Sequence, residues 1–149
     1  MNNHRGYFAI GIYHPKSGVN IGTLWRSAYI YGASFMFTIG RRYKPQASDT
    51  QKSWRHVPLF HYNGISDFSC SLPKDSRLVI IEINNGSRSL SSYTHPQRAI
   101  YILGAEDYGI PVDKFAQKDI VEIPSSKDIC LNVSVAGSIV MYDRFSKNE

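Results

Sequence analysis

Three short groups of residues carry side chains that can do chemistry. Asn20 and Arg26 stand six apart in Asn20-Ile21-Gly22-Thr23-Leu24-Trp25-Arg26. On a helix this leaves the guanidinium nearly two turns beyond the amide, within reach of the same cleft. The same residues also fit a helix cap at Asn20 and a surface ion pair at Arg26. Gly104-Ala105-Glu106-Asp107-Tyr108-Gly109 sets a carboxylate between glycines. Glycines let the backbone approach a ligand, and Glu106 there can pair with Arg26 or position a substrate hydroxyl; a tight turn with a solvated Glu fits equally. Cys130-Leu131-Asn132-Val133-Ser134 places polar side chains at the start of an otherwise apolar helix. Asn132 and Ser134 either cap that helix or face the loops that follow the other two groups.

A fourth group is basic. Arg41, Arg42, Lys44, Lys52 and Arg55 gather with only Asp49 against them, and Tyr43 and Trp54 are interleaved. Cations for phosphates together with flat rings for unstacked bases are how single-stranded RNA is commonly held. A solvated surface loop fits the same composition. The chain as a whole carries 17 basic and 12 acidic residues, a surplus compatible with a polyanionic partner.

The elements that must position these groups follow from periodicity. Apolar, β-branched runs at 8–13, 34–39, 57–60, 78–83, 100–103 and around Val121 read as strands. Helical spacing follows Asn20, placed at an N-cap, and ends near Gly32; shorter helices are expected at 64–70 and at 112–118 after Pro111. Leu131, Val135, Ile139 and Tyr142 fall at steps of four, four and three, one face of a terminal helix. Residues 40–56 lack periodicity and read as a long loop. Strands alternating with helices imply an α/β fold, a mainly parallel sheet with helices on both faces. The strands ending near Gly104 and Pro124 open into loops rich in Gly and Pro beside a helix start, the edge where open sheets bind ligands.

At 149 residues the expectation is a single domain, 1–149, with a real core. No apolar run spans a bilayer and the N-terminus lacks the layout of an export signal, so no membrane partner is expected and the default address is cytoplasmic. Cys70 and Cys130, sixty positions apart, read as buried thiols. No Cys/His cluster suggests a metal.

In this order and at these separations, the three groups together resemble the SpoU (TrmH-like) branch of the SPOUT RNA methyltransferases. The likeness lies in Asn20 with Arg26, in Leu103 to Gly109, and in Cys130 to Ser134, and runs from about Tyr7 to Arg144. It implies a C-terminal trefoil knot, S-adenosylmethionine bound in a bent shape inside that knot, and a homodimer with active sites at the subunit interface. The cofactor is then expected against Glu82, Gly104, Ile123 and Leu131, largely through backbone groups. Cys130 stands where many members carry Ser, and a backbone contact there survives the change.

The implied reaction is methylation of a ribose 2′-hydroxyl of RNA. Arg26 takes the base role, with Asn20, Glu106, Asn132 and Ser134 positioning it and the ribose. A guanidinium ordinarily stays protonated to a pKa above about 12, so this role needs a perturbed setting or help from a substrate phosphate. Arg41, Arg42 and Arg55 are expected on RNA phosphates. tRNA is favoured over rRNA because the chain reads as a bare catalytic domain. Two rival readings are a non-catalytic RNA-binding protein that kept the knotted fold and an unrelated α/β domain binding a mononucleotide.

Overall fold

The computed structural model describes residues 6–41, 52–105, 109–127 and 129–148. Its strands are β1 (Tyr7–Tyr13), β2 (Phe35–Ile39), β3 (Leu59–Tyr62), β4 (Arg77–Ile81), β5 (Arg88–Ser89), β6 (Arg98–Gly104) and β7 (Lys118–Glu122). Its helices are α1 (Gly18–Tyr31), α2 (Ile65–Ser71) and α3 (Val133–Lys147). The strands form one sheet in the order β3-β2-β1-β6-β4-β7-β5, and every neighbouring pair is parallel. All C-terminal strand ends therefore lie along one edge.

The central strands are apolar on both faces because both are covered. Ile10, Ile12, Val79, Tyr101 and Leu103 point into one core with Leu24, Trp25 and Ala28 of α1 and Val133, Val140 and Met141 of α3. Ile80, Ile100, Ile102, Phe37 and Ile39 point into the other, where Phe68 of α2 stacks on Phe37 at 4.9 Å. The expected α/β sheet with helices on both faces is what the chain forms. No helix among the described residues is long and apolar enough to cross a membrane.

Several local expectations are corrected. The residue at the N-cap of α1 is Ser17, so Asn20 lies inside the first turn, its side chain engaged elsewhere. The third strand runs over Leu59–Tyr62, not 57–60, because Val57 is drawn under α1, where its carbonyl accepts a hydrogen bond from the Trp25 indole at 2.8 Å. No helix spans 112–118. A single 3-10 turn, Val112–Lys114, delivers Phe115 into the core, and Lys118 already pairs with Leu78 in the sheet. Cys70 and Cys130 are exposed free thiols, not buried ones.

The largest correction concerns α3. Leu131 precedes the helix, and Val135, Ile139 and Tyr142 are 46, 37 and 58 % exposed. The buried residues are Val133, Ser134, Gly137, Val140, Met141 and Arg144. They make the weaker apolar pattern, since one member has no side chain and another is charged. Gly137 is what lets α3 approach α1 and the sheet: a Cβ there would stand 2.4 Å from Leu24 Cδ1 and 2.8 Å from Leu103 Cδ1. The two helices are also joined by the Ser138 hydroxyl, which donates to Ser27 Oγ at 2.8 Å.

The far end of α3 is held by a buried polar cluster. Arg144 donates to the carbonyls of Pro96 and Gln97, and its guanidinium lies 5.2 Å from the Phe8 ring centre. His95 Nε2 lies 2.7 Å from Asp143, its Nδ1 lies 2.6 Å from the Tyr101 hydroxyl, and Lys147 reaches the same Asp143 at 2.8 Å. Burial lowers the His95 pKa below its ordinary value of 6.5, outweighing the opposing effect of Asp143, with Arg144 and Lys147 adding to the fall. The contact with Asp143 is thus a hydrogen bond from a neutral ring. Since a carboxylate can only accept, Nε2 carries the proton and Nδ1 accepts from Tyr101. Burial pushes the Tyr101 phenol up to about 12, which keeps it a donor.

Because the folded His95 binds its proton less readily than the unfolded one, its contribution to stability is full above pH 6.5 and is lost as pH falls below it. Thermal melts should show Tm falling over that interval in wild type and a flatter profile in His95→Gln. Equal slopes for the two proteins would place the acid sensitivity elsewhere.

Candidate active site

Three strands that neighbour one another, β6, β4 and β7, end side by side, and the residues just past each end form the floor of a cleft. Glu82 and Ile83 follow β4, Ala105 follows Gly104 at the end of β6, and Ile123 follows β7. Ile129, Cys130 and Leu131 lead into α3 and close the opposite wall with Val133 and Ala136. The cavity measures about 120 Å³. It adjoins a hollow of about 80 Å³ beside Lys16, Ser17 and Asn20, sharing Ala105 and Val133, and an open one of about 560 Å³, sharing Glu82, Ile83 and Gly109.

Glu82, Gly104, Ile123, Cys130 and Leu131 all line this one cleft. Gly104 is there as bare backbone: a Cβ would meet Ile110 Cγ1 at 3.0 Å and stand 3.5 Å from Glu82 Oε2. The same Glu82 oxygen accepts from the Ile110 amide at 3.2 Å, leaving the second carboxylate oxygen without a partner among the described residues. Apolar walls around one carboxylate and strand-end backbone suit a ligand with a flat ring and hydroxyl or cationic groups.

Beside the cleft, the first and third groups meet. Asn132 Nδ2 donates to Asn20 Oδ1 at 3.0 Å, across 112 residues of sequence. Asn132 Oδ1 accepts from the Ser134 hydroxyl at 2.6 Å and from the amides of Ser134 and Val135. Asn132 therefore caps α3, as its sequence context allowed, and also ties it to α1, a contact the sequence did not announce. Both polar atoms of the Asn132 amide are thus engaged, which holds its side chain in a single arrangement.

Arg26 is not among the residues lining the cleft of its own chain. It is exposed on α1, about 9 Å along the helix axis from Asn20. Arg41 and Arg55 are both exposed but do not adjoin one another. Arg41 follows β2 at the edge that bears the cleft, whereas Arg55 precedes β3 at the opposite edge. Glu106 and Arg42 lie outside the described residues. Sequence reasoning missed Ile83, Ile129 and Ala136 as cleft walls and Lys16 beside Asn20. The loop after β1 was a usable signal for Lys16, since it too ends a parallel strand.

A family model described as the SpoU rRNA Methylase family matches residues 7–142. The chain belongs to the SpoU rRNA methylase family. Among curated proteins, the chain is similar to the mouse (Mus musculus) tRNA (guanosine(18)-2′-O)-methyltransferase TARBP1, with 26 % identity over 132 residues. That match takes in 83 % of this chain but 8 % of the relative's length. Among solved structures, one described by the 2-OH methylation of C/U34 on tRNA superposes with a TM-score of 0.81 at 21 % identity, covering 95 % of this chain and 96 % of that one. The AdoMet-bound rRNA methyltransferase from Sinorhizobium meliloti gives 0.82 at 20 % identity, covering 95 and 57 %. These structural likenesses establish the shared SpoU fold.

Proposed function

We propose that this chain is an S-adenosylmethionine-dependent RNA ribose 2′-O-methyltransferase acting on tRNA. The observation that carries the reading is the convergence of the Asn20–Asn132–Ser134 chain on the cleft floored by Gly104, from three separate parts of the sequence. Support comes from family membership and from relatives described as tRNA 2′-O-methyltransferases and as AdoMet-bound.

The cofactor, when bound, supplies a methyl group already activated on a sulfonium. Glu82, the strand-end backbone at Gly104 and Ile123, and the segment of Cys130 and Leu131 that leads into α3 would hold it, the missing side chain of Gly104 giving the room. Asn20, Asn132 and Ser134 hold the acceptor ribose in line, and Glu106, assigned from its motif, assists. Arg26 takes the proton from the 2′-oxygen.

That last role requires a second copy of the chain. Val135, Ile139 and Tyr142 of α3 are exposed and share a hollow with Thr23 of α1, and Val19 and Ile30 are exposed on α1, which also bears Arg26. Large exposed apolar patches mark interfaces. A homodimer through this surface carries Arg26 toward the partner's cleft and encloses it, and desolvation favours the neutral guanidine that can act as a base. The insertion of β7 between β4 and β5, followed by the return of α3 onto α1, supports the trefoil knot proposed for the C-terminal part.

Labelled methyl should pass from S-adenosylmethionine to bulk tRNA, and calorimetry should detect S-adenosylhomocysteine. Tight tRNA binding without transfer would favour a non-catalytic RNA-binding protein. Binding of a mononucleotide in place of S-adenosylhomocysteine would favour an unrelated α/β domain.

A further inference from the structure

The first 66 residues carry eight basic side chains against the single acidic Asp49. All but Asp49 of the acidic residues lie in the remainder of the chain. Within that positive half, four exposed side chains form two ring-bearing pairs. Tyr29, in the last turn of α1, stacks on His56 with centroids 4.5 Å apart and planes 17° from parallel. Trp54, two residues earlier, lies beneath the Arg55 guanidinium at 5.1 Å. Tyr29 is 42 % and Trp54 39 % exposed, although aromatic rings of this size ordinarily bury their faces. Lys52 is exposed beside them. The segment is tied to α1 by the Trp25 indole bonded to the Val57 carbonyl, and within it the amides of His56 and Val57 bond to the Ser53 carbonyl.

We infer that Tyr29, His56, Trp54 and Arg55 form a stacking platform for an unpaired nucleotide of the RNA acceptor, with Arg55 and Lys52 on its phosphates. Flat rings interleaved with cations match unstacked bases on a polyanion, and the absence of acidic side chains from the whole surrounding stretch, 52–66, removes the repulsion such a strand would meet. Tyr29 follows Arg26 by three residues on α1 and neighbours it on the helix surface, so the platform extends away from the proposed catalytic Arg26. The inference thus rests on the methyltransferase reading for its substrate and regroups Arg55 with these rings, away from Arg41.

The test is binding of a short unstructured, fluorescein-labelled oligoribonucleotide by anisotropy, together with the KM for tRNA, in wild type, Trp54→Leu, Tyr29→Leu/Trp54→Leu and Trp54→Phe. The double variant should bind about 10- to 100-fold more weakly and raise KM by a similar factor at near wild-type kcat, while Trp54→Phe, which keeps a stacking face, stays within about threefold. Melting temperature and S-adenosylhomocysteine affinity verify the fold, and the single Trp54→Leu carries the comparison should the double variant melt early. Wild-type affinity and KM in the leucine variants would overturn the platform while leaving the enzyme intact, and would turn attention to an acidic protein partner. Quantitative loss of oligonucleotide binding in a protein that transfers no methyl would uphold the platform and sink the methyltransferase reading.

Discussion

Arg26→Ala is expected to lower kcat for methyl transfer to tRNA by about 100-fold or more while leaving S-adenosylhomocysteine affinity and melting temperature unchanged. The size follows from the loss of a positioned proton acceptor, which ordinarily contributes about 10²- to 10⁴-fold. The selectivity follows from the structure: Arg26 is exposed on α1, lines no part of its own chain's cleft, and has no bonding partner among the described residues whose loss would unsettle the fold. A surface ion pair, the plainer role, predicts wild-type kcat. Arg26→Lys keeps the charge without the planar fork and should recover little activity.

Gly104→Leu should cost about 10- to 100-fold in S-adenosylhomocysteine affinity, and methyl transfer with it. A Cβ at this position already presses on Ile110 at 3.0 Å and nears the Glu82 carboxylate, so a larger side chain must fill the cavity of about 120 Å³. Forcing extra methylenes into packed space costs about 1–3 kcal/mol, the range that corresponds to this loss. Gly104→Ala, whose single methyl faces a movable Ile110 side chain, should be much milder. The two variants also report on the dimer. Mixing the impaired Arg26→Ala and Gly104→Leu variants should raise activity above that of either alone, because one site of the proposed mixed dimer pairs an intact cleft with an intact Arg26 from the other protomer. Absence of recovery, with mixed dimers verified, would place Arg26 and the cleft in the same chain.

The sheet was legible in the sequence because its central strands are buried on both faces. Runs such as Leu78-Val79-Ile80-Ile81 leave little else for the chain to do, and the strands expected there shifted only at their edges, whereas the two-residue β5 (Arg88–Ser89) is polar and gave no such signal. The cleft was legible for a related reason. In a parallel sheet every strand points its C-terminus to one edge, so the strand ends near Gly104 and Pro124 were readable from the pattern, whereas Glu82, read inside the 78–83 strand, and Ile123 were expected at the cofactor only through the family resemblance. Helix faces were harder. The outward stripe of α3 holds Val135, Ile139 and Tyr142, whereas the inward one holds Gly137 and Arg144, so counting apolar residues selects the wrong side. Close approach at a glycine and burial of a guanidinium among carbonyls leave no hydrophobic signature. The outward stripe is the face assigned to the proposed homodimer.

Long-range polar contacts were the least legible. Nothing local joins His95 to Asp143 or Asn20 to Asn132, and each pair is meaningful only once α3 lies against α1 and β6. Asn20 illustrates the competition: its position near the start of α1 suggested a cap, yet Ser17 occupies that position and frees the Asn20 amide for Asn132. The order of the three groups along the chain pointed to the family, and the family model over residues 7–142 agrees with it.

The most direct measurement identifies the methylated atom. tRNA treated with the protein and isotopically labelled S-adenosylmethionine is digested to nucleosides and resolved by mass spectrometry. Ribose 2′-O-methyltransfer predicts the label on a 2′-O-methylnucleoside, with the methyl retained on the sugar after glycosidic cleavage. Label on the free base, or no label in any nucleoside from tRNA that the protein binds, would contradict it.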